Sequence, residues 1–317
     1  MISYKSIKDK KIQKMKGWLF VKNLIIFGAI MVLITVSCSK PNKIINQVEI
    51  NDGRVRLPRS TPEKEGVPSM AILNFTKNAV DVLSRNQESS EFHSIMIVKN
   101  GKVIFERWWE PFAPQYRHEL FSLSKSFTSI GTGMAIDEGL LTVDTKLCDI
   151  FTDEFEKLGS QIEEKVKNMT IKNLLTMSTG MDREYWSSGI DINNIEAFLT
   201  GKVTDNSPGE IFRYSNIATY MLSAAVTRLT GQTLAEYLDP RLFIPLGIVD
   251  RHWTIDETTG VNIGASGLSV TTEDLAKFGQ LLLQKGMWEG RRLLSEKYIE
   301  EATKKQISAI THVKSNH

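Results

Sequence analysis

Histidine is scarce in this chain. The five present, His93, His118, His252, His312 and His317, fall at no metal-ligand spacing, so each reads as a structural or surface side chain and no cofactor is expected. Proline is equally sparse, 9 in 317 residues, beside 41% hydrophobic and 24% charged residues. That balance excludes disorder as the theme and is ample for one large or two interleaved domains. Basic charge in excess is missing too, once the first residues are set aside. The formal net charge of +2 arises from residues 1–38, which hold seven lysines and one aspartate, leaving 32 basic against 36 acidic residues and a net −4 over the remainder. This argues against a nucleic-acid partner. There is no internal repeat and no low-complexity block.

What the N-terminus does contain is an export pattern. Lys16 and Lys22 precede an apolar run from Leu24 to Val36, too short for a membrane span, which ends at Ser37-Cys38-Ser39-Lys40. The stretch before Met15 is long and lysine-rich for such a signal, which points to Met15 as the true start. Cys38, after small and apolar residues, resembles a bacterial lipoprotein processing site, with Thr35 where leucine is usual. The resemblance implies that residues 1–38 are a removable signal, that the protein is exported to the periplasm or outer membrane, and that a lipid on Cys38 anchors it to a membrane. Cys148, the other cysteine, is then left without a partner. No disulfide is expected, and Cys148 reads as a small core residue beside Leu147 and Ile150.

Residues 39–66 read as a polar tether, with Pro41, Asp52-Gly53, Pro58 and Pro62 and no sustained period, so that folded structure is expected from near Pro68 and one domain over 67–317. Ser69 is placed to cap a helix with Ile72, Phe75, Ala79 and Val82 on one face. Phe92–Lys99 and Lys102–Trp109 are β-rich runs joined by Asn100-Gly101, a strong signal for a tight hairpin. Helices are expected over Ile171–Met177, Ile192–Leu199, Asn216–Leu229, Leu234–Leu238, Glu273–Gln284 and Glu296–Lys304, with Thr170, Thr233, Thr272 and Ser295 as N-caps. Two strands alone make no stable sheet, so either further strands join the hairpin or the chain is incomplete.

The segment Phe121-Ser-Leu-Ser-Lys-Ser-Phe-Thr128 opens another helical pattern, with Leu123, Phe127, Ile130 and Met134 as its apolar stripe and Gly139 at its end. Ser122 and Lys125 lie off that stripe and share a face. A nucleophilic serine needs a base in hydrogen-bond reach, and a lysine can be that base. Chance alone would supply about two S-x-x-K matches in so serine- and lysine-rich a chain, so taken by itself the motif reads as an ordinary helix start. Tyr214-Ser215-Asn216, at the head of a helix patterned by Ile217, Met221, Ala224 and Ala225, adds a phenol that can move protons and an amide that can bind one.

Ser-x-x-Lys followed by Tyr-x-Asn at a later helix start resembles the serine beta-lactamase and penicillin-binding-protein superfamily, in its class C and esterase-like branch. Ile95–Trp109, Leu174-Leu-Thr-Met-Ser-Thr-Gly-Met181, Pro245-Leu-Gly-Ile248 and Gly264-Ala-Ser-Gly-Leu-Ser269 are similar to further family landmarks in family order, over roughly residues 68–305. The resemblance implies an α+β fold, an antiparallel sheet flanked by helices with a mostly helical lobe beside it. It also implies a serine hydrolase acting on a small ester or amide, a beta-lactam or D-peptide among the candidates, through a Ser122 acyl-enzyme. Lys125 would be the base, Tyr214 the proton shuttle, Asn216 the substrate amide binder and the Ser122 N–H one oxyanion donor. The family's third motif, Lys-Thr-Gly or His-x-Gly, is not found after Tyr214. The expectation is therefore a chain truncated before its C-terminal strands, with an inactive remnant or binding module of the same fold as the alternative. Other sites read poorly. Gly131-Thr-Gly133 sits within a helix and makes a weak dinucleotide fingerprint, there is no Gly-x-Ser-x-Gly elbow, and Trp108, Trp109, Tyr185 and Trp186 read as core or rim packing before cleft lining.

Overall fold

The computed structural model describes residues 55–85, 92–184 and 192–308. The export signal, Cys38, Tyr185, Trp186, His312 and His317 lie outside them. In chain order the elements are α1 (Ser69–Arg85), β1 (Ser94–Lys99), β2 (Lys102–Trp108), β3 (His118–Glu119), α2 (Ser124–Asp137), α3 (Leu147–Ile150), α4 (Thr152–Leu158), α5 (Glu164–Lys167), α6 (Ile171–Leu175), α7 (Asn194–Leu199), α8 (Asn216–Thr230), α9 (Leu234–Leu238), β4 (His252–Trp253), β5 (Ile255–Asp256), β6 (Val261–Asn262), β7 (Leu268–Val270), α10 (Thr272–Leu283), β8 (Met287–Trp288), β9 (Arg291–Arg292) and α11 (Glu296–Thr303). Antiparallel sheets and helices thus mix as an α+β fold.

β1 and β2 form the expected hairpin, Lys99 facing Lys102 across Asn100 (φ 53°) and Gly101 (φ 74°), the two left-handed residues a tight turn needs. Among the described residues β1 pairs with β2 alone, and α10 packs against it. On the outer side of β2 the chain enters earlier than expected. Arg59 bridges Val103 in parallel, Val103 N–H donates to Pro58 O (2.8 Å), and Leu57 is buried. Residues 55–66 therefore belong to the folded domain rather than to a tether, because Leu57 buries its side chain and Arg59 pairs with Glu106 (2.8 Å) and Glu273 (2.5 Å).

The phase of α1 also differs from expectation. Ile72 and Thr76 face inward while Phe75 and Val82 are exposed. Apolar side chains occur all round this helix, so the sequence offers more than one stripe, and Thr76 is tolerated inside by its hydroxyl bond to Ile72 O (2.9 Å). The helical lobe matches more closely. α8 is buried along its length and packs against α2, α6, α7 and α9. Thr170, Thr233 and Ser295 stand at N-cap positions as expected, whereas α10 is capped by Thr271 rather than Thr272. α2 ends at Gly139 (φ 74°), whose following residue Leu140 donates back to Ala135 O (3.0 Å) in a Schellman arrangement. Cys148 is half-buried and not in the core, because on the single turn of α3 Leu147 and Ile150 take the inward positions.

Gly131 and Gly133 are packing glycines. A Cβ on Gly131 would lie 2.7 Å from Leu234 Cδ1 and one on Gly133 2.7 Å from Tyr298 Cζ, so α9 and α11 approach α2 closely. Tyr298 cannot yield, since it is buried and its hydroxyl donates to Ser129 O (2.7 Å). Alanine in an open helix position would gain about 0.5–1 kcal/mol over glycine, but overpacking costs about 1–3 kcal/mol. Gly133→Ala should therefore be destabilising, with a lower urea midpoint and an unchanged slope; a raised midpoint would refute the close contact with α11.

Candidate active site

Ser122 does not lie in the α-helix proper. It sits in a 3-10 turn, Phe121–Leu123, that feeds α2, and it is entered through Phe121 at φ 44°. A bulky residue in the left-handed region costs on the order of 1–3 kcal/mol, and such strain gathers at functional sites. Two short strands hold the turn in place. β3 pairs with β7, Leu120 N–H donates to Leu268 O (2.8 Å), and Leu268 N–H donates to Ser124 Oγ (3.3 Å). The exposed Ser122 hydroxyl is thereby presented at the head of α2, beside the loop 264–267.

The head of α8 meets it. Tyr214 Oη lies 2.7 Å from Ser122 Oγ and donates to it, and Lys125 Nζ donates to the same oxygen at 3.1 Å. Lys125 spends its other two donors on Asn216 Oδ1 (2.8 Å) and Ala265 O (2.7 Å). All three acceptors are neutral. The ammonium also stands 4.9 Å from the centroid of the Tyr214 ring. Ser122, Lys125, Tyr214 and Asn216, drawn from positions up to 94 apart in a 317-residue chain, are thus brought into one hydrogen-bonded cluster.

Burial pushes the Tyr214 phenol up, but the adjacent ammonium of Lys125 and the hydrogen bond with Ser122 outweigh this and hold it below the ordinary 10, with Glu184 opposing. A phenol so placed can give up its proton to solvent, its phenolate stabilised by the adjacent ammonium, and then accept one from serine.

The landmark Leu174–Met181 has a structural role here. Met177 (φ 49°) ends α6 and offers its carbonyl to Arg213 N–H (2.9 Å), while Met177 Sδ accepts from Ser215 N–H (3.5 Å). Arg213 Nη1 donates to the carbonyls of Met181 (2.9 Å) and Asp182. Gly264 (φ 63°) packs so closely on α8 that a Cβ would sit 2.9 Å from Ser223 Cβ, which places Ala265 O at the lysine. Two participants were not expected from the sequence. Ala265 acts through its backbone, which no side-chain pattern can announce. Glu184 is an exposed acid 30 residues before Tyr214 in a 317-residue chain.

The other readings separate from this cluster. His93 and His118 face each other through their Nδ1 atoms at 3.1 Å and stack with Phe112, burial and His93 lowering the pKa of His118. Trp109 stacks on Phe92 with its ring centroid 5.2 Å away. Among the described residues no group of three or more His, Cys, Asp or Glu stands close enough to hold a metal.

Residues 93–316 match the family model of beta-lactamases. The chain belongs to the beta-lactamase family. Within this hydrolase family, the 6-aminohexanoate-dimer hydrolase of Paenarthrobacter ureafaciens is 27% identical over 255 residues, covering 76% of this chain and 64% of the relative. The chain thus spans less than two thirds of that relative's length. Two solved structures share the beta-lactamase fold. A D-alanine carboxypeptidase from Burkholderia cenocepacia superposes with a TM-score of 0.55 at 20% identity, over 73% of this chain and 69% of the other. The octameric penicillin-binding protein homologue from Pyrococcus abyssi gives 0.55 at 18% identity, over 72% and 59%. Serine beta-lactamases of class C also appear among its structural neighbours.

Proposed function

We propose that this beta-lactamase-family protein is a serine hydrolase that cleaves a small ester or amide through an acyl-enzyme on Ser122. The observation that carries the reading is the convergence of Lys125 Nζ and Tyr214 Oη on one exposed serine oxygen, at 3.1 and 2.7 Å. A serine meant only to cap a helix would turn its oxygen toward backbone N–H groups. Here Ser122 Oγ instead receives two side-chain donors of the kinds that relay protons.

The chemistry follows from those distances. With the Tyr214 proton passed to solvent, the 2.7 Å contact reverses and Ser122 donates along it while its oxygen attacks the carbonyl carbon. The ammonium of Lys125 stabilises the phenolate beside it. The same phenol then protonates the leaving oxygen or nitrogen, and in the second half of the cycle Tyr214 draws a proton from water, which releases the acid and restores Ser122. Asn216, held by Lys125 at its Oδ1, keeps its amide N–H groups for a substrate carbonyl. Export and anchoring through Cys38 would place this chemistry outside the cytoplasm, on a membrane surface.

The test is covalent labelling of the folded protein with a fluorescent phosphonate and, separately, a fluorescent penicillin. Labelling that vanishes in Ser122→Ala is the expected result. Absence of labelling in the folded wild type would overturn the hydrolase reading in favour of a non-enzymatic member of the fold. The penicillin arm separates beta-lactam acylation from general ester or amide chemistry.

A further inference from the structure

The start of α8 carries two of the four clustered side chains, and its backbone is held from outside the helix. A helix begins with N–H groups that have no partner within it. Ser215, the N-cap, satisfies one of them, its Oγ accepting from Ala218 N–H at 3.1 Å. Ser215 N–H goes to Met177 Sδ, and the remaining two go to a single distant carboxylate. Glu184 Oε2 accepts from Asn216 N–H (3.1 Å) and Glu184 Oε1 from Ile217 N–H (2.5 Å), while Ser215 Oγ lies 3.5 Å from Oε1. The loop that supplies Glu184 is itself tied back by Arg213 Nη1 through the carbonyls of Met181 and Asp182. Tyr214 therefore sits between two residues, Arg213 and Ser215, that are both fastened to this loop.

We infer that Glu184 is a positioning residue for Tyr214 and Asn216, clamping the first turn of α8 so that the phenol and the amide meet Ser122 and Lys125. The inference rests on the reading of Ser122 as the nucleophile and deepens it, since it names what holds the proton shuttle in place. Physically the clamp has two parts. Two charge-assisted hydrogen bonds fix the backbone on either side of the Asn216 α-carbon, and an anion at the positive end of α8 is favourably placed. That anion also cancels part of the field that would otherwise favour a Tyr214 phenolate.

The charged groups around Tyr214 can be named from each side. Lys125 faces it from α2; Glu184 faces it from the 181–184 loop; Asp182, Arg183 and Arg213 line the cavity it shares with that loop. Lys125 favours the phenolate and Glu184 disfavours it. Removing the charge of Glu184 while keeping its shape should thus make Tyr214 more acidic. The rising limb of a pH profile that depends on the Tyr214 phenolate should move to lower pH.

The experiment compares wild type, Glu184→Gln, Glu184→Ala and Ser215→Ala in the full chain. Three quantities are read: the pH dependence of phosphonate labelling, the deuterium exchange of the amides of Asn216 and Ile217, and the tyrosinate titration of Tyr214, obtained by difference from Tyr214→Phe. In Glu184→Ala the plateau labelling rate is expected to fall between about ten- and a hundredfold, the scale of an ångström-sized misplacement of a reacting group. Glu184→Gln should exchange faster at the two amides and show both the labelling limb and the tyrosinate titration at lower pH. Ser215→Ala removes the neutral cap of the same turn and should leave the limb where it is, so a merely structural loss does not mimic the effect. Unchanged amide exchange and an unmoved titration in Glu184→Gln would overturn the inference. If wild type fails to label at Ser122, the hydrolase reading falls by itself, and the exchange and tyrosinate measurements still decide the role of Glu184.

Discussion

Lys125→Met should slow phosphonate labelling of Ser122 by about 10²–10⁴-fold, the usual range for losing a positioned proton-transfer group, while the fold is retained. Its ammonium makes three hydrogen bonds, to Ser122 Oγ, Asn216 Oδ1 and Ala265 O, which tie the head of α2 to the head of α8 and to the 264–267 loop. Methionine keeps the length of the side chain and makes none of them. Two effects then add. Ser122 and Asn216 lose the group that fixes their rotamers, and Tyr214 loses the adjacent positive charge that offsets its burial.

The sign of the second effect is fixed by which form works. If the phenolate is the base, rate rises with pH through the Tyr214 pKa; taking away the cation raises that pKa, so the limb moves to higher pH, opposite to Glu184→Gln. Lys125→Arg should not rescue the rate, because a planar guanidinium cannot reach three converging acceptors as a compact ammonium does and does not release its proton. A Lys125→Met protein labelling at the wild-type rate with an unmoved limb would refute the role given to Lys125.

How much of this was legible depends on how far each feature is written in neighbouring residues. The Asn100-Gly101 hairpin, the Gly139 helix end and the caps at Thr170, Thr233 and Ser295 are local chemistry, and they stand where the sequence puts them. Ser122, Lys125, Tyr214 and Asn216 were readable as two motifs, though neither motif alone says that they meet. Their meeting depends on β3 and β7, strands of two and three residues that pair across roughly 150 positions and are too short to show any alternation. The short helices α3 to α5 are invisible for the same reason, since four to seven residues do not establish a 3.6-residue period. The face of α1 differs from the expected one because its apolar residues surround the helix, and tertiary burial selects Ile72 and Thr76 over Phe75. Glu184 illustrates a different limit. An exposed glutamate in a polar loop has the same local signature whether it is idle or caps a helix that begins 32 residues later.

The landmark Pro245–Ile248 is tied to a buried ion pair through the Gly247 carbonyl. Lys277 and Asp274, on α10, are each 1% exposed and pair at 2.9 Å, and Lys277 Nζ also donates to Gly247 O at 3.1 Å. Asp274 has a second task. Its Oδ2 accepts from the Thr271 hydroxyl (2.7 Å) while its own N–H donates to Thr271 Oγ1 (3.2 Å), so one carboxylate closes the capping box of α10 and compensates the buried ammonium. Asp274→Ala strands that ammonium away from water, and breaking a buried pair by removing one partner costs about 3–5 kcal/mol. The half of the capping box that the Asp274 carboxylate supplies is lost with it, while Thr271 keeps its bond from the residue-274 N–H.

Such a pair is nonetheless weak as a net stabiliser, because both charges were stripped of water to form it. The double variant Asp274→Asn, Lys277→Met should therefore recover most of the loss. Asparagine can still accept from Thr271, and methionine fills the lysine's path without a charge. What remains unrecovered is the Gly247 carbonyl, now without its donor, at about 1–3 kcal/mol. Urea unfolding of Asp274→Asn, of Lys277→Met and of the double variant gives the coupling directly. A loss under about 1 kcal/mol for Asp274→Ala, on the scale of an exposed pair, would mean that water reaches Lys277 and would refute the burial on which the argument depends.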